Sequence, residues 1–273
     1  MAIDVAGSIL KQTDIRETIT NTAESDVGFN LNYARLERTM VISSATDLFF
    51  KHDGREMYVV NTNDDIIQYT LSTPWDISTA NLTATEDLSA KETAITGLFF
   101  KTDGTKFYIC GNSGGTRVHE YDLSTAWDIT TLSFLQSYTL NFNSPTGLYF
   151  REDGKQMIVS STVAVSLRSH SLSTAWDIST GSPYDTFADG NIGGIFFSRK
   201  GDLLFEADTV ADAITVKSLS TVFKISSAVD DYTWTILPTG GTVKSIFFNF
   251  NGSQVFILTT TMIIQQSIKR GWR

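Results

Sequence analysis

The sequence predicts an all-β protein, a five-bladed β-propeller with four antiparallel strands in each blade. Three observations lead to this prediction: a long unit repeats five times, each unit contains four short strand-like runs, and a segment before the first unit supplies a strand that the last unit lacks. The chain has 273 residues, of which 41% are apolar and 12% aromatic, which suffices for a large buried core. A single closed barrel would not repeat a whole four-stranded unit.

The first marker of the repeat is a nine-residue string that ends in glycine. It reads Thr-Asp-Leu-Phe-Phe-Lys-His-Asp-Gly at 46–54, returns nearly unchanged at 96–104 and 146–154, and has weaker copies at 193–201 and 244–252. The closing glycines are spaced by 50, 50, 47 and 51 residues: Gly54, Gly104, Gly154, Gly201 and Gly252. A period of this length indicates a repeat architecture.

A second marker runs in phase with the first. Leu-Ser-Thr-Ala-Trp-Asp-Ile-Ser-Thr begins at Leu172, with close copies from Leu71 and Leu123 and a decayed copy from Leu219. Its aromatic residues are Trp75, Trp127, Trp176 and Phe223, and Trp272 lies where a fifth would fall.

Four strands are expected in every unit, and the second unit shows them best. Aromatic and β-branched residues cluster in short runs at 98–101, 106–110, 116–123 and 134–140, with Asp103-Gly104 between the first two. Four antiparallel strands in about 50 residues are typical of a propeller blade.

The ring is expected to close through an N-terminal strand. The fifth unit stops after its third strand, and residues 34–43 lie immediately before the first inner strand. Met40 precedes Asp47 by seven residues, as Leu140 precedes Gly147. Residues 34–43 should therefore pair with 262–268 and remove two open edges. The domains expected are an N-terminal arm, 1–29, and a propeller, 30–273.

The arm is polar, with a few scattered apolar residues. Ile15 and Ile19 could share one helical face, and Ile9 and Leu10 precede them. Two interpretations stay open: a disordered leader, or a segment that folds on a partner such as another protein or another copy of the chain.

Charge and composition exclude several classes of function. There are 21 Lys and Arg against 30 Asp and Glu, a net charge of −9, which argues against binding nucleic acid. The N-terminus lacks the pattern of a signal peptide, and no apolar stretch is long enough for membrane insertion. The single cysteine, Cys110, excludes a disulfide framework and a cysteine-rich zinc site.

The recurrent acidic and aromatic residues each have two interpretations. Asp-Gly at 53, 103 and 153 could ring a metal, but this pair is the preferred filling of a tight hairpin turn. Trp75, Trp127 and Trp176 could pack between blades or at their rims, or could stack against a glycan. The turn and packing interpretations are the simpler ones.

Catalysis would require side chains that converge where the inner strands begin. Those positions hold small, mostly uncharged residues, and Asp47 is the single carboxylate among them. Glycoside hydrolysis needs two carboxylates, and a hydrolytic metal needs several ligands. With no nucleophile elbow or phosphate loop either, the sequence predicts no catalytic residue, no metal site, no cofactor and no enzyme.

The chain resembles propeller-repeat proteins of marine bacteriophages and environmental bacteria in two sequence motifs. These are Trp-Asp-Ile-Ser-Thr and Gly-Leu-Phe-Phe-Lys-Thr-Asp-Gly-Thr-Lys-Phe-Tyr. The resemblance covers 44–273 and weakens at Phe223-Lys224 and Gly271-Trp272. It implies a non-enzymatic virion component of the tail, fibre or head surface, made in the host cytoplasm and active in structure or host attachment through protein–protein contacts. The alternatives are a lectin-like propeller that binds host-surface glycans and, third, a propeller hydrolase.

Overall fold

Five four-stranded antiparallel sheets make up the protein. The computed structural model describes residues 31, 34–113, 115–162, 166–235 and 241–268. Within them, twenty strands form five sheets arranged as a ring, which confirms the predicted five-bladed β-propeller. Trp272 and the arm residues Ile9, Leu10, Ile15 and Ile19 lie outside the described residues.

Each blade runs from an inner strand at the axis to an outer strand at the circumference. The blades and their strands are: blade 1, β2 (Ala45–Phe50), β3 (Glu56–Asn61), β4 (Asp65–Leu71) and β5 (Ala80–Asp87); blade 2, β6 (Ile95–Phe100), β7 (Lys106–Gly111), β8 (Arg117–Leu123) and β9 (Leu132–Thr139); blade 3, β10 (Pro145–Phe150), β11 (Gln156–Ser161), β12 (Ser166–Leu172) and β13 (Gly181–Ala188); blade 4, β14 (Ile192–Phe197), β15 (Leu203–Asp208), β16 (Ala213–Leu219) and β17 (Ala228–Thr235); blade 5, β18 (Val243–Phe248), β19 (Gln254–Thr259), β20 (Met262–Ile268) and β1 (Ala34–Val41).

One-turn 3-10 helices join the third and fourth strands of the first four blades. They span Ile77–Thr79, Ile129–Thr131, Ile178–Thr180 and Ile225–Ser227. The helix Ile129–Thr131 leads straight into β9, so this outer strand begins at Leu132, two residues earlier than the apolar pattern predicts.

Strand β1 closes the ring, as predicted. It pairs antiparallel with β20, so that Ala34 lies opposite Ile268 and Val41 opposite Met262. Blade 5 therefore combines one strand from the start of the propeller with three from its end, and the ladder covers two strand edges that would otherwise be open.

The Asp-Gly pairs lie in the hairpin turns between the first and second strands. In blade 1, the Gly54 N–H donates to the Lys51 carbonyl at 2.8 Å, and Gly54 has a φ of +69°. The Asp53 carboxylate accepts a hydrogen bond from the Arg55 N–H at 2.9 Å. The carboxylate thus serves the turn, as the turn interpretation expects.

The tryptophans of the second marker lie in the joints between blades. The Trp75 indole lies directly over Gly54, where a Cβ on any other residue would collide with the ring. The same indole packs against Phe50 of its own blade and Phe256 of blade 5, with ring centres 5.6 and 6.0 Å away. The marker therefore stabilises two blades at once.

Hydrogen bonds strengthen these joints. The hydroxyl of Tyr58 in blade 1 donates to the Trp127 carbonyl of blade 2 at 2.6 Å, and Tyr108 in blade 2 donates to the Trp176 carbonyl of blade 3 at 2.7 Å. Trp75 and Trp127 are half-buried and Trp176 is buried, so all three indoles take part in the packing between blades.

Candidate functional site at the mouth of the central axis

The innermost strands place one residue per blade, near the start of each strand, where the strands meet at the axis. A Cβ added to Gly147 would lie 2.8 Å from the Gly194 Cα and 2.8 Å from the Ser160 Oγ, closer than Cβ atoms approach other atoms. The five residues of this closed layer are Asp47, Gly97, Gly147, Gly194 and Ser245. Their size is set by mutual contact around the axis.

Asp47 fastens three blades together within the closed layer. Its Oδ1 accepts hydrogen bonds from the Leu48 N–H at 2.8 Å and the Ser245 hydroxyl at 2.5 Å, and its Oδ2 accepts one from the Leu98 N–H at 2.8 Å. Burial raises the pKa of Asp47 to about 7, although these hydrogen bonds oppose the shift. The partners of this carboxyl are a hydroxyl and two backbone groups, which makes it a structural clasp.

Two residues further along each inner strand, five aromatic rings form a closed pinwheel. Neighbouring ring centres are 5.2 to 6.0 Å apart, and the ring planes meet at 67° to 74°. This edge-to-face geometry is one that aromatic quadrupoles favour. The members of this aromatic floor are Phe49, Phe99, Tyr149, Phe196 and Phe247.

An open pocket of about 70 Å³ lies against the aromatic floor, at the end of the axis where the hairpin turns project. One residue from each blade, always two positions before the turn glycine, stands at its edge. These mouth residues are His52, Thr102, Glu152, Arg199 and Phe250. The walls are apolar, whereas the mouth offers an imidazole, a hydroxyl, a carboxylate, a guanidinium and a phenyl ring.

Contacts among the mouth residues orient its charges. The Arg199 guanidinium lies over the Phe250 ring, 4.2 Å from its centre, and its Nε is 3.7 Å from the Glu152 Oε1. The His52 ring lies 6.0 Å from the Phe250 ring. Partial burial lowers the pKa of His52; the Glu152 carboxylate opposes this shift and the Arg199 charge adds to it. At neutral pH the mouth therefore presents one cation, one anion and a neutral imidazole.

The pocket suits one small apolar group with polar atoms around it. Glu152 and Arg199 are about half exposed, so both are accessible to a ligand. Among the residues that the structure describes, no group of three or more His, Cys, Asp and Glu side chains is placed to hold a metal ion. No helix in the described ranges has the length and apolarity to span a bilayer.

The pocket lies at the opposite end of the axis from the positions that the sequence singles out for catalysis. Sequence reasoning concentrates on the starts of the inner strands, such as Thr46-Asp47, and passes over the mouth residues. The repeat did contain a signal for these residues. Position 52 and its equivalents hold a different residue in every repeat, whereas the residue two positions earlier, Phe50 in the first repeat, is Phe in all five nine-residue strings.

The fold and this mouth define a β-propeller with an axial pocket. No protein-family model matches the sequence, and no curated protein matches it. Among solved structures, the chain is similar to a functionally unknown protein from Desulfotomaculum acetoxidans DSM 771, with a TM-score of 0.49 and 13% identity. The alignment covers 80% of this chain and 63% of that one.

Proposed function

We propose that this propeller is a structural and attachment protein of a bacteriophage virion. In this proposal the mouth binds a host-surface partner, and the N-terminal arm, 1–29, fixes the propeller to other virion proteins or to further copies of the chain. The observation that carries the proposal is the mouth itself, where five different side chains surround a floor of five near-equivalent aromatic rings.

A binding role explains why the aromatic floor has the same kind of residue in every blade while the mouth residues differ from blade to blade. Packing dictates the floor, because its rings contact one another around the axis. No such constraint acts on the solvent-facing side chains, such as Phe250, which is 48% exposed. Exposed aromatic and arginine side chains beside a pocket are typical of binding surfaces.

The arm completes the proposal, because the propeller closes without it. Strand β1 spans Ala34–Val41, and its pairing with β20 closes the ring within the described residues. Ordering a polar segment costs roughly 1 to 2 kcal/mol per residue for the backbone alone, which a partner surface would have to offset. Ile9, Leu10, Ile15 and Ile19 supply apolar side chains for such a surface.

Virion membership is tested directly by mass spectrometry of purified phage particles. We expect peptides of the chain in intact particles, and we expect removal of 1–29 to abolish incorporation while the melting temperature stays nearly unchanged. Absence of the protein from particles, or normal incorporation of the truncated chain, would contradict the proposal.

The role of the mouth is tested by adsorption of the purified, fluorescently labelled protein to host cells. The double variant E152A/R199A should bind at least about tenfold more weakly, because truncating an interface arginine commonly costs more than 1 kcal/mol. The matched control is K244A, at the start of inner strand β18 and hence at the other end of the axis. Equal loss in both variants, or in neither, would remove the mouth from the proposal.

A further inference from the structure

Blade 2 differs from the other blades at one cross-strand pair. The sixth residue of every outer strand carries a hydroxyl: Thr39, Thr85, Ser137, Thr186 and Thr233. The residue directly opposite on the third strand is Ile67 in blade 1, Arg168 in blade 3, Thr215 in blade 4 and Ile264 in blade 5. In blade 2 it is His119. The one serine of this series thus faces the one histidine.

The pair is close enough for proton transfer. The Ser137 Oγ lies 2.8 Å from the His119 Nδ1, and Ser137 is exposed while the imidazole is only 2% exposed. On the far side of the ring, the His119 Nε2 lies 3.5 Å from the Glu92 Oε2. Among the described residues neither of these two atoms makes a hydrogen bond, so each is the nearest polar group that the other has in the core. The serine, histidine and glutamate therefore form a line from solvent to core.

The glutamate is firmly held in its buried position. Glu92 is fully buried in the connection between blades 1 and 2, and its Oε1 accepts hydrogen bonds from the Ala94 N–H at 3.0 Å and the Ser113 N–H at 2.8 Å. Although burial opposes the shift, the nearby His119 ring and the hydrogen bonds from Ser113 and Ala94 lower the pKa of Glu92. The side chain is therefore an anion facing the Nε2 of His119.

The second strand of blade 2 makes room for this glutamate. A Cβ at Gly111 would collide with the Glu92 side chain and would lie 2.7 Å from the Ala94 carbonyl oxygen. The equivalent last residues of the second strands elsewhere all have side chains: Asn61, Ser161, Asp208 and Thr259. Blade 2 thus combines three departures from its siblings, at Gly111, His119 and Ser137, which meet beside Glu92.

The charge of Glu92 fixes the tautomer of His119. A carboxylate opposite Nε2 favours the proton on that nitrogen, which leaves Nδ1 as the acceptor for the Ser137 hydroxyl. A serine whose hydroxyl points at an imidazole nitrogen, with a carboxylate beside the other ring nitrogen, has the connectivity of an activated nucleophile. The Phe134 ring lies 6.2 Å from the His119 ring and adds an apolar surface, and the Lys91 ammonium lies over Phe134, 4.1 Å from its centre.

We propose that Ser137 is a nucleophile for acyl transfer from small carboxylic esters, with His119 as its general base and Glu92 as the residue that positions His119. The Ser137 Oγ forms a bond to the ester carbonyl carbon while its proton passes to the His119 Nδ1. The carbon–oxygen bond to the alcohol then breaks, and the alcohol leaves with that proton. Water attacks the acyl-serine in the same manner, which releases the carboxylic acid and restores the hydroxyl. This inference does not depend on the proposed virion function.

Labelling with a fluorophosphonate tests the nucleophile, since this reagent reacts with activated serines. The wild-type protein should be modified at Ser137, as located by peptide mass spectrometry. The matched control is the double variant T85S/S137A, which puts a serine at the same strand position of blade 1, opposite Ile67. Because general-base catalysis contributes about 10² to 10⁴-fold, Ser137 should react at least about 10²-fold faster than the hydroxyl at position 85 in that control. Equal rates would overturn the proposal.

Two further variants separate the roles of the imidazole and the carboxylate. H119Q should lower both labelling at Ser137 and hydrolysis of 4-nitrophenyl acetate to the level of S137A. E92Q should lower both rates and shift the ring-nitrogen chemical shifts of His119, because the proton would no longer be held on Nε2. Unchanged rates in folded E92Q, or a wild-type His119 with its proton on Nδ1, would refute the assigned roles. If H119Q does not fold, the proposal is still decided by the labelling rate of Ser137 in the wild type compared with that of the hydroxyl at position 85 in T85S/S137A.

Discussion

The closed layer and the mouth are built by the same five inner strands and their turns, yet they differ in what they allow. In the closed layer, Gly147 and Gly194 approach each other so closely that no side chain fits between them. At the mouth, the equivalent positions carry residues as different as Glu152 and Phe250. The ring therefore limits the size of side chains where the strands meet at the axis, and it permits many residue types where the turns face solvent.

The contrast shows where a repeat protein of this kind can acquire a function. A substitution in the closed layer affects two neighbouring blades, whereas a substitution at the mouth changes only the surface offered to a ligand. Blade 2 shows a second route, because its departures at Gly111 and His119 lie away from the axis and both face the buried Glu92.

The largest expected effect on stability comes from opening the ring, because the closed layer and the mouth both depend on it. Deleting residues 34–41 removes β1 and exposes the edge of β20. We expect a loss of several kcal/mol out of a typical total stability of about 5 to 15 kcal/mol, together with aggregation. Thermal unfolding with light scattering measures both. A deletion variant that melts like the full chain would contradict closure by β1.

A smaller effect is expected from overfilling the closed layer. G147L would force a side chain against the Gly194 Cα and the Ser160 hydroxyl, and it should cost about 3 kcal/mol. The matched change at the mouth, T102L, should alter stability by no more than about 0.5 kcal/mol. Chemical denaturation of the two variants sharpens the comparison, and similar losses in both would show that the two levels are not distinct.

The third effect, which is spread over several pH units, is the pH dependence that Asp47 gives to the closed layer. Folding raises the pKa of Asp47 from 3.8 to about 7, so the folded state binds this proton more tightly. Its contribution is complete below about pH 4 and is lost as the pH rises toward 7, and the shift of about three pKa units limits the loss to roughly 4 kcal/mol. Glu206, with a pKa raised to about 8 by burial, acts in the same direction.

The variant D47N separates the two carboxyls. In D47N the free energy of unfolding should decrease less between pH 4 and 7 than in the wild type. The decrease that remains should be the part due to Glu206. Denaturation midpoints across this range measure the slope. If the slope of D47N equalled that of the wild type, the pH dependence would have to arise elsewhere.

The repeat made the architecture predictable from sequence. The spacing of Gly54 and its equivalents set the number of blades, and the seven-residue offset from Met40 to Asp47 identified the closing strand. Local turn chemistry likewise explained the Asp-Gly pairs, because turn preferences act between neighbours in the chain. The role of the arm, 1–29, stays a prediction.

The sites were harder to predict because their residues are far apart in the chain. Asp47 looked isolated, yet its partner Ser245 is 198 residues away and Leu98 is 51 residues away. The mouth residues resemble ordinary variation in a turn until the ring brings the five turns together. His119 and Glu92 each look unremarkable alone, and only the blade geometry sets them on one line.

Pairing of β1 with β20 also determines how the propeller responds to tension. Ala34 and Ile268 are opposite each other at one end of an antiparallel ladder, so force applied to the chain at these two residues pulls the strands apart sideways. The hydrogen bonds of such a ladder lie across the strands, and a sideways pull loads them one pair after another instead of all together. Force applied at Ala34 and Ile268 should therefore break the hydrogen bonds between β1 and β20 one pair at a time. Force applied along β1 against the rest of blade 5 would instead load all of these hydrogen bonds together in shear, so the resistance of the ring depends on the direction of the pull.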